Sequence, residues 1–346
     1  MALSPAVLRA LQSASQVLKR LATVQRKEAK FTVGVDIGSS AVKVVVLGPR
    51  SRTGPRSVLV KHSVPLDSTQ ATDASEAVRV AMSGVDPSAR SVVLSVSGQW
   101  VIMRIIEMPA MKAPELKQAL PFEAQRYLPF NIDDVMIDGA MLGPSDAHKN
   151  WVLIIACKKE LIIRRVDWIR RAGLDAAVID VDALALANAL LASANGRSLK
   201  GTRALVNVGA QLSNLVIFKD DTPYLVRDIP WGAEKLIRHT AEHLGSDPAA
   251  VGKSILEAVN PDPALISAMK LAAESLVTEL QLSFDYFENR FGQPPEEVLV
   301  SGGLGENAAF LEVLMASLNQ TIKAWSPVEG LPGQFAVAYG LALRSA

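Results

Sequence analysis

The sequence predicts an α/β protein of two lobes, each built on a mixed five-stranded sheet, with a small α+β subdomain inserted into the first lobe. Three observations lead to this prediction. A strand that ends in a glycine turn and returns at once as a second strand occurs at residues 35–45 and again at 206–216. A third glycine turn follows a late strand at residues 298–303. Residues 98–175 read as a separate strand–helix–strand–strand–helix unit.

The two hairpins are copies of one pattern. The first reads VDIGSSAVKVV and the second VNVGAQLSNLV, each with a polar residue near the strand end and small residues after the glycine. Gly38 and Gly209 are expected to take positive φ, which would bring backbone N–H groups close to an anion. Two such turns, one per lobe, would hold a polyphosphate between them. The carboxylate of Asp36 would hold hydrated Mg²⁺ beside it.

The order of elements divides the chain into six predicted segments. They are a basic amphipathic helix and linker (1–30), the first lobe (31–97), the insert (98–175), the first lobe again (176–202), the second lobe (203–330) and a C-terminal helix that returns to the first lobe (331–346). Two readings of the N-terminal helix stay open. It packs on its own protein, or its basic face lies on an anionic membrane or a partner.

Composition excludes several classes of function. The net charge of +1 gives no general attraction for nucleic acid. The single cysteine, Cys157, lies in an apolar run and has no partner for an internal disulfide, which favours a reducing cytoplasm. No segment is long and apolar enough for a membrane-spanning helix, and the N-terminus does not read as a secretory signal.

The ordered set of two hairpins and a late Gly-Gly turn resembles the superfamily of actin, the sugar kinases and the heat-shock chaperones. Within it, residues 31–346 resemble the PilM family of type IV pilus assembly, which is related to the division protein FtsA. The matching stretches are DIGSSAVK (36–43), EMPA (107–110), EAQRYLPF (123–130), RDIP (227–230), LVSGG (299–303) and AYGLALR (338–344). The resemblance implies an actin-like two-lobed fold of duplicated RNase H-like domains, and the stretch at 123–130 is the most family-specific.

The resemblance also implies a nucleotide site that binds ATP with Mg²⁺. The positions that match are Asp36, Gly38, Ser39, Ser40, Lys43, Asn207, Gly209, Ala210, Gln211, Gly232, Glu234, Lys235, Gly302 and Gly303. By the same resemblance, Asp36 and Asn207 are expected to contact the metal, and Asp36, Asp180 and Asp182 are expected to act in catalysis. Structural roles compete at the helix starts, where Asp caps and a first-turn Glu are common.

Two departures from the superfamily pattern weaken this site. Asn207 stands where an aspartate is expected, and an amide adds no charge to attract Mg²⁺. Leu282 stands where a basic residue near the nucleotide is expected. The sequence therefore predicts ATP binding with slow or absent hydrolysis.

The resemblance further implies a partner, the N-terminal cytoplasmic peptide of a PilN-like single-span membrane protein, bound by the insert. Glu123, Tyr127 and Phe130 are the candidate contacts, although the two aromatic residues are also read as core. The expected location is cytoplasmic, peripheral to the inner membrane. Pilus motor ATPases are further expected partners, and residues 1–28 would add a weak membrane contact.

Three other functions compete with a nucleotide-dependent scaffold. A small-molecule kinase uses the same fold, but the segment that would carry its carboxylate base is replaced here by the insert. A division protein like FtsA normally carries its membrane helix at the C-terminus, where this chain has a helix expected to pack in the lobe. The third alternative is the relative of PilM in secretion systems, but that protein is fused to a membrane span, and no span is predicted in this sequence.

Overall fold

The computed structural model describes residues 31–49, 56–66, 73–86, 91–194, 196–257 and 261–344. The predicted amphipathic helix within residues 1–30 lies outside the described residues. The strands are β1 (Thr32–Ile37), β2 (Ala41–Leu47), β3 (Val58–Pro65), β4 (Ser91–Val96), β5 (Val101–Pro109), β6 (Val135–Pro144), β7 (Lys149–Lys158), β8 (Asp175–Val181), β9 (Thr202–Val208), β10 (Ser213–Lys219), β11 (Thr222–Ile229), β12 (Glu297–Gly302) and β13 (Ile322–Ala324). The helices are α1 (Ser75–Ala81), α2 (Ala113–Gln125), α3 (Lys159–Arg171), α4 (Asp182–Ser193), α5 (Ala233–Leu244), α6 (Pro248–Glu257), α7 (Pro263–Phe291), α8 (Ala308–Leu318) and α9 (Ala336–Leu343).

The first lobe is built on a five-stranded mixed sheet in the order β3-β2-β1-β4-β8. The first three strands form an antiparallel meander, and β4 and β8 run parallel to β1. Both faces of its central strands are buried, which explains why β1 and β2 read as nearly continuous valine runs rather than alternating ones. Helices α1 and α3 contact each other and strands of the sheet that include β3 and β8. Helices α4 and α9 contact each other and strands that include β1 and β4.

The second lobe repeats this plan with the sheet order β11-β10-β9-β12-β13. Its largest core cluster joins the sheet to α5, α6, α7 and α8. The prediction of two mixed five-stranded sheets is therefore confirmed. Strand β8 was not predicted, because Asp180 interrupts its short apolar run, DAAVIDV.

Close backbone contacts join helix α9 to helix α4 and to strand β1. A Cβ on Gly340 of α9 would lie 1.8 Å from the Ala185 carbonyl oxygen of α4. A Cβ on Gly34 of β1 would lie 2.0 Å from the Ala338 carbonyl oxygen of α9. Only glycine permits such approaches, since atoms this close would overlap. The C-terminal helix thus packs directly on the central strand of the first lobe.

The insert contains a three-stranded antiparallel sheet in the order β5-β7-β6, against which α2 packs. The next helix, α3, has a different environment: its Trp168 and Ile169 belong to the core cluster of the first lobe, with Val33 and Leu94. The predicted segment 98–175 therefore combines a separate small sheet with a helix that packs on the larger one.

The insert also contacts the second lobe through aromatic side chains. Trp151 of β7 lies 6.2 Å from Tyr224 of β11 and 5.4 Å from Phe291 of α7, ring centre to ring centre. The guanidinium of Arg290 lies 4.5 Å above the Trp151 ring. These four residues are called the aromatic bridge below. Such ring and cation contacts add to the free energy of simple apolar burial.

Over the described ranges, no helix combines the length and apolar composition needed to cross a membrane.

Candidate nucleotide-binding site

The first hairpin carries an ion pair beside its turn. Asp36 and Lys43 are opposite each other in the β1–β2 register, and the Lys43 Nζ lies 3.2 Å from the Asp36 Oδ2. The Gly38 N–H closes the turn by donating to the Ala41 carbonyl oxygen at 3.0 Å. Asp36 is buried and Lys43 is half-buried, so the pair interacts more strongly than one on the open surface.

The expectation of positive φ at the two hairpin glycines is wrong. Among the described glycines, the left-handed set includes Gly302 at 91° but neither Gly38 nor Gly209. Close approach is the reason for glycine in both hairpins. A Cβ on Gly38 would lie 3.1 Å from the Ala41 carbonyl oxygen, and one on Gly209 would lie 2.7 Å from that of Leu212.

The turn tips leave backbone donors available. In the described part of the chain, no backbone carbonyl accepts a hydrogen bond from the N–H of Ser39 or Ser40 in the first turn, or from that of Ala210 or Gln211 in the second. These residues are half-buried or exposed. Adjacent unpaired N–H groups suit an anion, because each would donate to an oxygen of a phosphate.

The second hairpin carries a neutral network where the first carries charges. Asn207 and Asn214 occupy the opposed positions in the β9–β10 register. The Asn207 Nδ2 donates to the Asn214 Oδ1 at 3.0 Å, and the Asn214 Nδ2 donates to the Asp228 Oδ1 at 2.8 Å. Both asparagines are buried, so these two hydrogen bonds fix the orientation of their side-chain amides.

Asp228 connects the lobes. Its Oδ2 accepts a hydrogen bond of 2.6 Å from the Gly98 N–H, which follows β4 in the first lobe. Burial raises the pKa of Asp228, while the hydrogen bonds from Gly98 and Asn214 lower it in part. Sequence reasoning did not select this residue, although it lies within the RDIP stretch. The β10–β11 register that places it opposite Asn214 was the missing signal.

Asp182, the first residue of α4, completes a group of three carboxylates. The Ser95 Oγ donates to its Oδ1 at 2.5 Å. Burial and then the negative charge of Asp36 raise the pKa of Asp182 to about 7, and the charge of Asp228 acts in the same direction. Asp36, Asp182 and Asp228 are called the carboxylate cluster below.

Asp180 has a different environment. Its Oδ2 lies 2.5 Å from the Arg344 Nη1, and its Oδ1 accepts from the Val181 N–H at 2.8 Å. Burial raises the pKa of Asp180, and Arg344 opposes this effect. Of the two aspartates expected to act in catalysis beside Asp36, Asp182 therefore interacts with Asp36, whereas Asp180 forms an ion pair with Arg344.

Arg165 of α3 supports the first turn. Its Nη1 donates to the Ile37 carbonyl oxygen at 2.6 Å, one residue before Gly38. Burial lowers the pKa of Arg165, and the charges of Asp182 and Asp36 raise it. Its Nε is buried without a hydrogen bond. No local motif marks this residue, because its helix lies far from the hairpin in the sequence.

The start of α5 rests on the second turn. The N–H groups of Ala233 and Glu234 donate to the carbonyl oxygens of Gly209 and Ala210, both at 2.9 Å. A Cβ on Gly232 would lie 2.4 Å from the Ala210 carbonyl oxygen. The Glu234 side chain accepts from the Gln211 Nε2 at 3.0 Å, and Lys235 is half-buried in the next position.

The third turn adjoins the second. Gly302 is paired with Val208 in the parallel β9–β12 register, and the Gly303 N–H donates to the Val208 carbonyl oxygen at 3.1 Å. A Cβ on Gly302 would lie 2.2 Å from that oxygen, whereas one on Gly303 would meet open space. Gly303 thus presents bare, exposed backbone beside the second turn.

The candidate peptide contacts lie at the edge of the insert. Glu123 pairs with Arg126 at 3.2 Å, and Tyr127 is 37% exposed, so it lies outside the core. The Phe130 ring lies 6.1 Å from that of Trp100, and the Lys158 Nζ lies 4.1 and 4.6 Å from the Trp100 and Phe130 rings. The side chains of Trp100, Phe130 and Lys158 are called the aromatic patch below.

Comparison with known proteins agrees with the fold. A family model described as type IV pilus assembly protein PilM matches residues 34–346. A solved structure titled PilM-PilN type IV pilus biogenesis complex is 24% identical, with 92% of this chain and 98% of that chain covered, at a TM-score of 0.77. The ethanolamine utilization protein EutJ from Carboxydothermus hydrogenoformans is 13% identical, with 95% and 98% covered, at a TM-score of 0.55.

The two sheets share one strand order, each with a hairpin that turns at a glycine, and together they define an actin-like fold. The family match then gives the identity more closely, because it covers all but the first 33 residues. The chain belongs to the PilM family of type IV pilus assembly proteins.

Proposed function

We propose that this protein is a nucleotide-binding scaffold of the type IV pilus assembly platform, peripheral to the cytoplasmic side of the inner membrane. It binds ATP between its two hairpins and the N-terminal peptide of a PilN-like membrane protein at its insert. One observation supports the nucleotide part most strongly: the two turns with unpaired N–H groups belong to different lobes, and Asp228 of the second lobe accepts a hydrogen bond from Gly98 of the first. Contact with pilus motor ATPases is a further part of the proposal.

The side chains fit a magnesium–nucleotide complex in part. Lys43 and the N–H groups of Ser39 and Ser40 would bind phosphate oxygens. Asp36 would hold Mg²⁺, with Asn207 orienting a water on it. When bound, the ion neutralises phosphate charge. The described residues contain no group of three or more potential ligands arranged around one metal position, so water and phosphate oxygens would have to supply most of the ligands of Mg²⁺.

Turnover in this site should be slow or absent. Asn207 is engaged with Asn214 and contributes no negative charge to the metal. Leu282 is 57% exposed and lines a groove of about 770 Å³ together with Asp228 and Leu212. Leu282 adds no positive charge that could stabilise the charge that develops on phosphate.

Two buried aspartates provide a matched test of the nucleotide site. Asp36→Asn should weaken binding of ATP with Mg²⁺ at least about tenfold in calorimetry, since charge-assisted contacts are worth about 1.5–3 kcal/mol. Asp180→Asn, which removes the charge paired with Arg344 and keeps an acceptor for the Val181 N–H, should change affinity by less than about threefold. Equal losses, or no heat of binding in the unaltered chain, would refute the site. Phosphate release at roughly 1–10 per second would refute slow turnover.

The proposed peptide site rests on the aromatic patch and on open strand edges. The insert sheet ends at β5 and β6, so each has one edge unpaired within the described sheet. An extended peptide can add to such an edge through backbone hydrogen bonds, while apolar side chains seat against neighbouring rings. The solved relative titled a PilM-PilN complex supports a partner of this kind.

Peptide binding can be tested with a synthetic peptide from the N-terminus of a PilN-like protein. Trp100→Ala combined with Phe130→Ala should weaken binding at least about tenfold, because buried aromatic anchors dominate such interfaces. Phe122→Ala is the control, since Phe122 is 77% exposed and lies outside the aromatic patch. Unchanged affinity in the double variant, with normal circular dichroism, would place the peptide elsewhere.

A further inference from the structure

Three polar side chains form a row across the second sheet, one each on β9, β10 and β11. Asn214 of β10 lies opposite Asn207 of β9 in one register and opposite Asp228 of β11 in the other. Neighbouring strands are about 4.8 Å apart, so the row spans roughly 10 Å. It begins two residues before Gly209 of the second nucleotide turn and ends on the edge strand of the sheet. These three residues are called the polar row below.

Each residue of the polar row has the hydrogen-bonding groups that its position requires. Asn207 donates to Asn214 at 3.0 Å, and Asn214 in turn donates to Asp228 at 2.8 Å. The central position needs both an acceptor and a donor, which an amide has and a carboxylate lacks. Asp228 accepts on both of its oxygens, from Asn214 at Oδ1 and from the Gly98 N–H at Oδ2. The residue types therefore fit a directed chain of hydrogen bonds.

The chain of hydrogen bonds ends at the aromatic patch. Gly98 starts a turn in which the Val101 N–H donates to the Gly98 carbonyl oxygen at 2.9 Å, and Trp100 lies within this turn. The φ of Gly98 is 89°, a conformation that glycine adopts readily. The Trp100 carbonyl oxygen accepts from the Lys158 N–H at 3.1 Å. The N–H group that Asp228 holds therefore belongs to the same turn as one ring of the aromatic patch.

Burial makes this chain of hydrogen bonds sensitive to a change at one of its ends. Asn207 and Asn214 are 9% and 2% exposed, so little water can replace a lost partner. The Asn207 Nδ2 is engaged with Asn214, which leaves its Oδ1 for a ligand in the cleft. Turning one of the amides over would place two like groups against each other and break the chain. The polar row therefore has two discrete arrangements, connected and broken.

We propose that the polar row couples the two binding sites of the proposed function, so that a nucleotide in the cleft and a peptide on the aromatic patch strengthen each other's binding. Asn214 and Asp228 act as positioning residues. A ligand that fixes Asn207 favours the connected arrangement, which also fixes the turn that carries Trp100. The second ligand to bind then has less of the chain left to order. This inference rests on the proposed function, because it needs both sites.

Isothermal titration calorimetry on the full chain measures this coupling. The dissociation constant of ATP with Mg²⁺ should fall about fivefold or more when a synthetic peptide from the N-terminus of a PilN-like protein is present at saturation. By linkage, ATP should lower the dissociation constant of the peptide by the same factor. Binding of both ligands with no change in these constants would overturn the coupling and leave the proposed function standing. Failure of the unaltered chain to bind ATP or the peptide would overturn both.

Two neighbouring buried residues of β10 provide matched variants. Asn214→Ala removes the central link and should reduce the coupling factor below about twofold, while each ligand alone still binds. Ser213→Ala is the control, because Ser213 is also buried and its Oγ donates to the Trp231 carbonyl oxygen at 2.7 Å, outside the polar row. The control should keep a factor of about fivefold or more. Equal losses in the two variants would show a general loosening of the sheet and would overturn the proposal.

Asp228→Asn is a second test, and it keeps the shape of the side chain. An amide has one oxygen and cannot accept on both sides, so the coupling factor should again fall below about twofold. Circular dichroism checks that each variant is folded. Arg165→Lys tests another route, along α3, which follows Lys158 and holds the Ile37 carbonyl oxygen through Arg165. Coupling that is retained in Asp228→Asn and lost in Arg165→Lys would place the link in α3 and overturn the polar row.

Discussion

The two hairpins share a backbone plan and differ in the side chains placed at the same register position. Asp36 and Lys43 face each other in the first lobe, and Asn207 and Asn214 face each other in the second. Both turns close through a glycine N–H that donates at 3.0 Å to a carbonyl three residues later. The backbone of this turn therefore does not need the ion pair. The charges at the strand ends are therefore available for chemistry. The first hairpin carries such charges, and the second carries two neutral amides.

The difference also changes what each hairpin can do to the cleft. Burial, and then the negative charge of Asp36, raises the pKa of Asp182. The asparagine pair instead passes hydrogen bonds to Asp228, which holds the first lobe through Gly98. One hairpin shapes the electrostatics of the site, and the other connects the lobes.

The largest expected effect concerns the glycines that close the turns. Gly209→Ala should lower the free energy of unfolding by about 1–3 kcal/mol, since its Cβ would lie 2.7 Å from the Leu212 carbonyl oxygen. Gly38→Ala, with a separation of 3.1 Å from the Ala41 carbonyl oxygen, should cost less than about 1 kcal/mol. Urea unfolding measures both. Equal costs would mean that the turns are sterically equivalent.

The next effect is a pH dependence from Asp182. Its folded pKa of about 7 lies above the ordinary 3.8, so its contribution to stability is full below about pH 4 and is lost as pH rises through about 7. Asp182→Asn keeps the acceptor for Ser95 and cannot ionise. Relative to the unaltered chain, it should gain about 1–2 kcal/mol of stability between about pH 5 and pH 8. A constant difference across that range would contradict burial of the carboxyl group.

The smallest effect tests whether the hairpins are interchangeable. Asn207→Asp alone should cost about 1 kcal/mol, because it adds a buried carboxylate near Asp228. Adding Asn214→Lys recreates the first-lobe pair and should recover about 0.5 kcal/mol or more, measured as the coupling in a double-mutant cycle. Strictly additive changes would show that the second lobe cannot accept the charged pair.

Much of the fold could be predicted because its signals are local. VDIG and VNVG mark two strand–turn units in the sequence itself, and the mixed sheets around them follow from the surrounding apolar runs. β8 escaped detection because an edge strand of a parallel pair needs few apolar residues, and Asp180 within it is compensated by Arg344.

The site was predicted less completely than the fold. Arg165 and Asp228 reach it through tertiary contacts with Ile37 and Gly98, and no spacing rule connects residues so far apart. The expectation of positive φ at Gly38 failed because two different requirements, torsional freedom and closeness of approach, both select glycine. The sequence shows a glycine at this position, but it does not show whether torsional freedom or close approach requires it.

The aromatic bridge connects the insert, which extends from the first lobe, to the second lobe. Trp151 contacts Tyr224 and Phe291 of the second lobe, while β5 and β7 are rooted beside β4 and α3 of the first. Moving the lobes apart would therefore strain two places: the ring contacts of Trp151 with the second lobe, and the short connection near Gly98 with the first. A pull applied to the insert from outside would be transmitted to both lobes at once. A force on the insert would therefore also act on the Gly98–Asp228 hydrogen bond between the lobes.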